Sequence, residues 1–214
     1  MNSCYSNKKQ TTKVAVCASS YLVLDEIKKL YETKTGNEIE LIQGASGRLT
    51  TQIIQGAPYD IFISADLSFS KLVQEKLELK NYPKVLTKNQ LALWKKSDET
   101  PLTVALANPK TAPFGRLAKK ELGLLNINVQ EVFGESISQV NHYILSESVD
   151  WAYTSYSSIR NNPKLRGTLT LVSGSPVLNQ GVICLSEDEQ TQLFFTFLFS
   201  KESKGVFTKH GYLE

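Results

Sequence analysis

The sequence predicts an α/β protein of two lobes, each a mostly parallel sheet flanked by helices, and three observations carry that reading. Short apolar runs alternate with amphipathic helical patterns from Lys13 onward, as they do where helices cross between parallel strands. The same alternation begins again after Pro101. At 214 residues, the chain suits two small sheets with a cleft between them better than one sheet of about eight or more strands.

The elements follow in order. "KVAVCA" (13–18) reads as a short buried strand. "YLVLDEIKKLYETKTG" (21–36) sets Leu24, Ile27, Leu30 and Tyr31 on one helical face and stops at Gly36. "EIELIQ" (38–43) is a second strand, and "GRLTTQIIQGAP" (47–58) a second helix ended by Gly56 and Pro58. "DIFISAD" (60–66) alternates as a strand and "SFSKLVQEKLEL" (68–79) is helical. Beyond "VLTKNQLALWKKS", a strand "LTVALAN" (102–108) leads to the helices "FGRLAKKELGLL" (114–125) and "SISQVNHYILSES" (136–148). "TLTLVSG" (168–174) and "VLNQGVICL" (177–185) are strands. The terminal helices carry Leu193, Phe194, Phe197 and Leu198 as a wide apolar face. The expected division is a leader at 1–12, a first lobe of 13–86 with 177–214, and a second lobe of 87–176.

Composition narrows the chemistry. With 41% hydrophobic and 21% charged residues the chain is ordinary for a globular protein, and a net charge of +3 with scattered lysines argues against nucleic acid. Cys17 and Cys184 lie inside apolar runs and read as small buried hydrophobes. His142 and His210 have no ligand spacing to each other or to the cysteines, so no metal centre or cofactor is expected. The polar leader "MNSCYSNKKQTTK" lacks the apolar stretch of a signal peptide. If a lipoprotein signal once preceded it, Cys4 would carry the lipid; an added leader is the other reading.

In open α/β sheets, ligands sit beyond the carboxyl ends of the strands, where helices begin. Four such turns stand out: "CASSY" with Ser19 and Ser20, "GASGR" with Ser46, "ANPKTAPFG" with Pro113 and Phe114, and "FGESIS" with Ser136 and Ile137. Each has an ordinary reading, because serine is a favoured N-cap and proline a favoured first helical residue. Each is equally a set of unpaired amides at the positive end of a helix dipole, suited to an anion. The small residues Gly44, Ala45 and Gly47 around Ser46 permit a tight turn and also leave its amide open. Arg48, just inside that helix, reads as a solvated residue or as an attractor of anions to the cleft mouth. Catalysis fits poorly: no base is placed beside a serine, there is no nucleophile elbow or phosphate loop, and Asp60 and Asp66 bracket one strand as capping residues.

Taken together, "AVCASSYLVLDEIKKLYETKTG", "GASGRLTTQIIQGAPYDIFISAD", "LANPKTAPFGRLAKKELG", "GESISQVNHYIL" and "KHGYLE" resemble the periplasmic molybdate-binding proteins of ABC importers, in the family's order from about Lys13 to Leu213. The resemblance implies a type II periplasmic-binding-protein fold, a Venus flytrap whose lobes are joined by two crossover strands. It implies a monomeric, non-enzymatic, extracytoplasmic protein that takes molybdate or tungstate and passes it to a permease and ATPase, with membrane contact only through lipid on Cys4. The ligand set that it implies is the hydroxyls and amides of Ser19 and Ser46 and the amides of Phe114 and Ile137. The tyrosine found in many members falls eighteen residues after Ile137 on Ser155, with Tyr153 and Tyr156 as neighbours. A binder of another oxyanion and a ligand-sensing regulatory domain of the same fold are the alternatives.

Overall fold

The computed structural model describes residues 11–214; Cys4 and most of the leader lie outside them. The first lobe opens with strand β1 (Thr12–Cys17), a 3-10 turn (Ala18–Ser20), helix α1 (Tyr21–Thr35), β2 (Ile39–Gly44), α2 (Ser46–Ile54), β3 (Ile61–Ser64), α3 (Leu67–Lys76) and β4 (Lys84–Asn89). The second runs through β5 (Leu91–Lys95), β6 (Thr103–Ala107), α4 (Pro113–Leu124), β7 (Gln130–Gly134), α5 (Ile137–Leu145), β8 (Trp151–Ser155), α6 (Tyr156–Ile159) and β9 (Thr168–Leu171). The chain then returns to the first lobe as β10 (Leu178–Cys184), α7 (Glu189–Phe197) and α8 (Lys201–Lys209).

Two five-stranded sheets result, ordered β2-β1-β3-β10-β4 and β7-β6-β8-β5-β9. Both are mixed. β1 pairs in parallel with β2 and β3, and β6 with β7 and β8, while β10 and β5 run antiparallel to both their neighbours. Position for position, β6, β7 and β8 stand where β1, β2 and β3 stand. The helices that follow the first two strands of each set, α1 and α2 against α4 and α5, therefore begin at equivalent sheet ends.

Local chemistry explains the elements. α1 buries Val23, Leu24, Ile27 and Tyr31 at helical spacing, and Gly36 ends it at φ 69°, its amide bonding Glu32 O. The central strands bury both faces, as sheets covered by helices on two sides must. Val14, Val16, Ile61, Ile63 and Val182 pack beneath α1, α7 and α8, whereas Ala15, Phe62 and Ile183 pack on Leu49, Ile53 and Val73 of α2 and α3. The second lobe gathers Phe114, Ala118, Leu122, Ile137, Val140 and Ile144 over β6 and β8. Each such large side chain contributes about 1.5–3 kcal/mol when fully buried.

Three expectations change. No strand is expected between 125 and 136, yet β7 lies there; it is an edge strand of mixed burial with Phe133 half exposed, so its sequence lacks an apolar run. The stretch 85–97 resolves into β4 and β5, the first crossing between lobes, turning at Gln90. On α7, Phe194 is buried but Leu193 is 52% exposed, so the buried face there is narrower than the sequence suggests.

Candidate functional site

The cleft between the lobes closes on a small cavity of about 10 Å³, lined from the first lobe by Cys17, Ser19, Gly44 and Ser46 and from the second by Ala112, Phe114, Ser136 and Ile137, with alanines and Pro113 between. Four of the helix starts singled out by the sequence, those at Ser19, Ser46, Phe114 and Ile137, face one point. A void of this size admits about one water-sized sphere, and it opens toward solvent.

In the first lobe, Ser46 is the first helical residue of α2 and not its cap. Ala45 takes the N-cap position, and no side chain caps the helix. The Ser46 hydroxyl instead accepts a hydrogen bond of 2.9 Å from the Ala65 amide, at the end of β3. That bond occupies an oxygen lone pair and leaves the hydroxyl proton free to point into the cavity. α2's first intrahelical bond runs from Leu49 N to Ala45 O, so the amides of Ser46, Gly47 and Arg48 have no helical acceptor. Gly47 gives its amide to Thr111 O of the other lobe at 2.9 Å. A Cβ there would meet the Thr111 backbone at 3.1 Å, so glycine is what lets the two lobes approach. Ser19 sits in the 3-10 turn, its carbonyl accepting from the Tyr212 hydroxyl at 2.7 Å.

The second lobe offers backbone alone. α4 begins at Pro113 behind the N-cap Ala112 and makes its first helical bond at Arg116, which leaves the Phe114 and Gly115 amides without helical partners. α5 makes its first at Val140, which leaves those of Ile137, Ser138 and Gln139. The side chains of Phe114 and Ile137 point away into the core and are 1% and 4% exposed. Gly115 lets α4 start tight on β6, since a Cβ would fall 2.8 Å from the Ala107 carbonyl carbon.

No charged side chain lines the cavity among the described residues. Positive character comes from helix termini, each equivalent to about half an elementary charge. Charges stand at the rim: Arg48 pairs with Glu135 at 3.1 Å across the cleft, and Arg116 reaches Asp66 at 3.9 Å and lies over the Phe69 ring. Gln43 also hydrogen-bonds Ser138 from lobe to lobe. Burial pushes the Cys17 thiol up, so it stays a neutral thiol beside Ser19 and Ser20.

The remaining expectations fall as follows. Ser155 is fully buried off the cavity and accepts from Asn89 Nδ2 at 2.9 Å. Tyr153 is in the second lobe's core, its hydroxyl pushed up to about 12 by burial and then by Glu121, and Tyr156 carries the Arg160 guanidinium over its ring. None of the three touches the cavity. Ser20 lies behind Ser19, bonded to Gln180. Asp66 does cap a helix, accepting from Ser68 N, and Asp60 accepts from Lys13 N. His210 bonds Glu26 at 2.8 Å, and neither histidine meets the cavity. No group of three or more metal-ligating side chains gathers among the described residues. Cys17 is buried as expected and also lines the cavity, whereas Gln180 escapes the sequence reading; its signal was a polar glutamine inside the otherwise apolar "VLNQGVICL".

Known proteins share this architecture. The family model of bacterial extracellular solute-binding proteins matches residues 12–213. The molybdate-binding protein ModA of Rhodobacter capsulatus is 29% identical over 220 residues, covering 93% of this chain and 86% of the relative. The solved periplasmic molybdate-binding protein of Azotobacter vinelandii superposes with a TM-score of 0.82 at 19% identity, over 95% of this chain and 99% of that one. A Clostridium perfringens ABC-transporter substrate-binding protein with bound phosphate superposes with a TM-score of 0.74 at 12% identity, over 96% and 99%.

Proposed function

We propose that this chain, which belongs to the bacterial extracellular solute-binding protein family, captures molybdate or tungstate in the interlobe cavity and hands it to the permease and ATPase of an importer. The observation that carries the reading is the convergence of helix starts without side-chain caps and of Ser19 and Ser46 on a cavity lined by no charge. A dianion leaves water only if many donors replace its hydration, and fixed amides do so without ordering flexible side chains. Sites built of donors also discriminate. An oxyanion that keeps a proton brings a donor against donors, while a fully deprotonated one satisfies them all. Size then separates the deprotonated anions from one another.

The R. capsulatus relative, named for molybdate, supports the choice of ligand, and the phosphate-bound likeness makes phosphate the rival. The proposal extends to a monomer held outside the cytoplasm, with lipid on Cys4 as its membrane contact, to be read by intact-mass spectrometry of the membrane fraction. Isothermal titration with molybdate, tungstate, sulfate and phosphate tests the ligand. Dissociation constants below about 1 μM, near 8 kcal/mol, are expected for the first two. No heat with either would overturn the reading.

A further inference from the structure

We propose that Gln180 is a positioning residue whose carboxamide, by donating to the Ser19 hydroxyl from behind, biases that hydroxyl to donate toward the cavity. The inference rests on the oxyanion reading above. Gln180 lies on β10, fully buried, on the strand face whose later members Val182 and Cys184 pack in the apolar core beneath α1 and α7. A polar side chain there must be paired, because an unmet buried amide is costly. The register of β10 against β4 slips between Gln180, opposite Thr87, and Gly181, opposite Val85, the extra residue Leu86 lying on β4.

The Gln180 partners order the protons behind the cavity. Ser20 Oγ donates to Gln180 Oε1 at 2.6 Å, a length typical of O–H···O and short for N–H···O, which puts the oxygen of the amide at Ser20. Cys17 Sγ in turn donates to Ser20 Oγ at 3.3 Å, so Ser20 has its own proton to spend on Gln180. The nitrogen end, Nε2, therefore faces Ser19 and donates to its Oγ at 3.3 Å. With a lone pair so occupied, Ser19 has its proton left for the cavity. The competing acceptor is the Cys17 sulfur at 3.4 Å, a weak one beside a charged oxygen. The Ala65 amide does the same for Ser46. Both serines of the first lobe are thus turned donor-outward from behind, one by backbone and one by a side chain that mutation can reach.

The test is a double-mutant cycle of Gln180→Met and Ser19→Ala, with molybdate and phosphate as probes and thermal unfolding as the check on folding. Each single change is expected to weaken molybdate binding about 10- to 100-fold. The pair should be no weaker than Ser19→Ala within about twofold, because Gln180 acts through that hydroxyl. Gln180→Met should also lower the molybdate-to-phosphate affinity ratio, since an unrestrained Ser19 can turn and accept from a protonated anion. Additive losses, or equal losses for both anions, would reduce Gln180 to packing and overturn the inference. If Gln180→Met does not fold, Gln180→Glu replaces it. That side chain accepts only, and it should lose still more molybdate affinity at pH 8 and regain it toward pH 5.5 as the carboxyl protonates; a flat profile overturns the inference equally. Wild-type protein that binds neither molybdate nor tungstate sinks the proposed function instead and leaves the cycle to be run on the anion it does bind.

Discussion

In the first lobe the groups at the cavity are two serine hydroxyls with their amides, wired from behind by Gln180, Ala65 and Tyr212; in the second they are bare amides whose side chains, Phe114 and Ile137, belong to the lobe's core. The same topology, β1-α1-β2-α2 against β6-α4-β7-α5, is thus fixed by hydrogen bonds on one side and by packing on the other. A second contrast runs between helices. α3, α7 and α8 are capped by the side chains of Asp66, Asp188 and Ser200, whereas α2, α4 and α5, which face the cleft, have no side-chain cap. A side-chain cap takes up one or two of the end amides, and a terminus without one leaves more of them open.

The difference can be broken first at Ser46. Ser46→Ala removes one donor and leaves the buried Ala65 amide unpaired, so anion affinity should fall about 10- to 100-fold and stability by about 1–3 kcal/mol, read by titration and by urea unfolding. Unchanged affinity would remove the hydroxyl from the site.

At Ile137 the lobes part company. Ile137→Val keeps the amide and should leave affinity within about twofold while costing about 1 kcal/mol of stability. Ile137→Pro is tolerated by backbone at a first helical position, after Ser136 in extended conformation at φ −153° and ψ 171°. It deletes the amide and trims the buried side chain, so stability should fall by more than in the valine variant and affinity about tenfold or more, with the helix retained by circular dichroism. Equal binding by the two variants would refute the bare-amide account of the second lobe.

The smallest effect concerns acid. Asp150 accepts from Thr103 N, Thr103 Oγ1 and Leu102 N, each at 2.9 Å, and these bonds, those of Thr103 foremost, hold its carboxyl below the ordinary range. A depressed folded pKa gives stability that is fully present above the unfolded value of about 3.9 and lost as pH falls through the folded one. Asp150→Asn should therefore lower the urea midpoint at pH 7 and flatten its decline below about pH 4. In the first lobe Asp188 and Glu26 are lowered likewise, by Thr191 and by His210 first, so an acid limb persists in the variant.

Much of the fold is legible locally. The runs at 13–18 and 60–66 and the spacing of Leu24, Ile27 and Tyr31 announce their elements because burial imposes a period. β7 is silent because an edge strand needs no apolar run, and Ser155 is misread because a position counted along the chain says nothing of the Asn89 that claims it. Ser19, Ser46, Phe114 and Ile137 could be named as helix starts, since turns beyond strand ends are visible in sequence.

By itself, then, the sequence determined the alternation of strands and helices, the presence of two lobes and the helix-start turns that line the cavity. Tertiary structure alone decided that Ser46 caps nothing, that Gln180 and the Ala65 amide sit behind the serines, and that Gly47 and Thr111 meet across the cleft. The reason is physical: helix and strand periods are written in neighbouring residues, whereas the direction of a hydroxyl proton is set by whichever acceptor and donor the fold brings within about 3 Å, here from as far along the chain as residue 180.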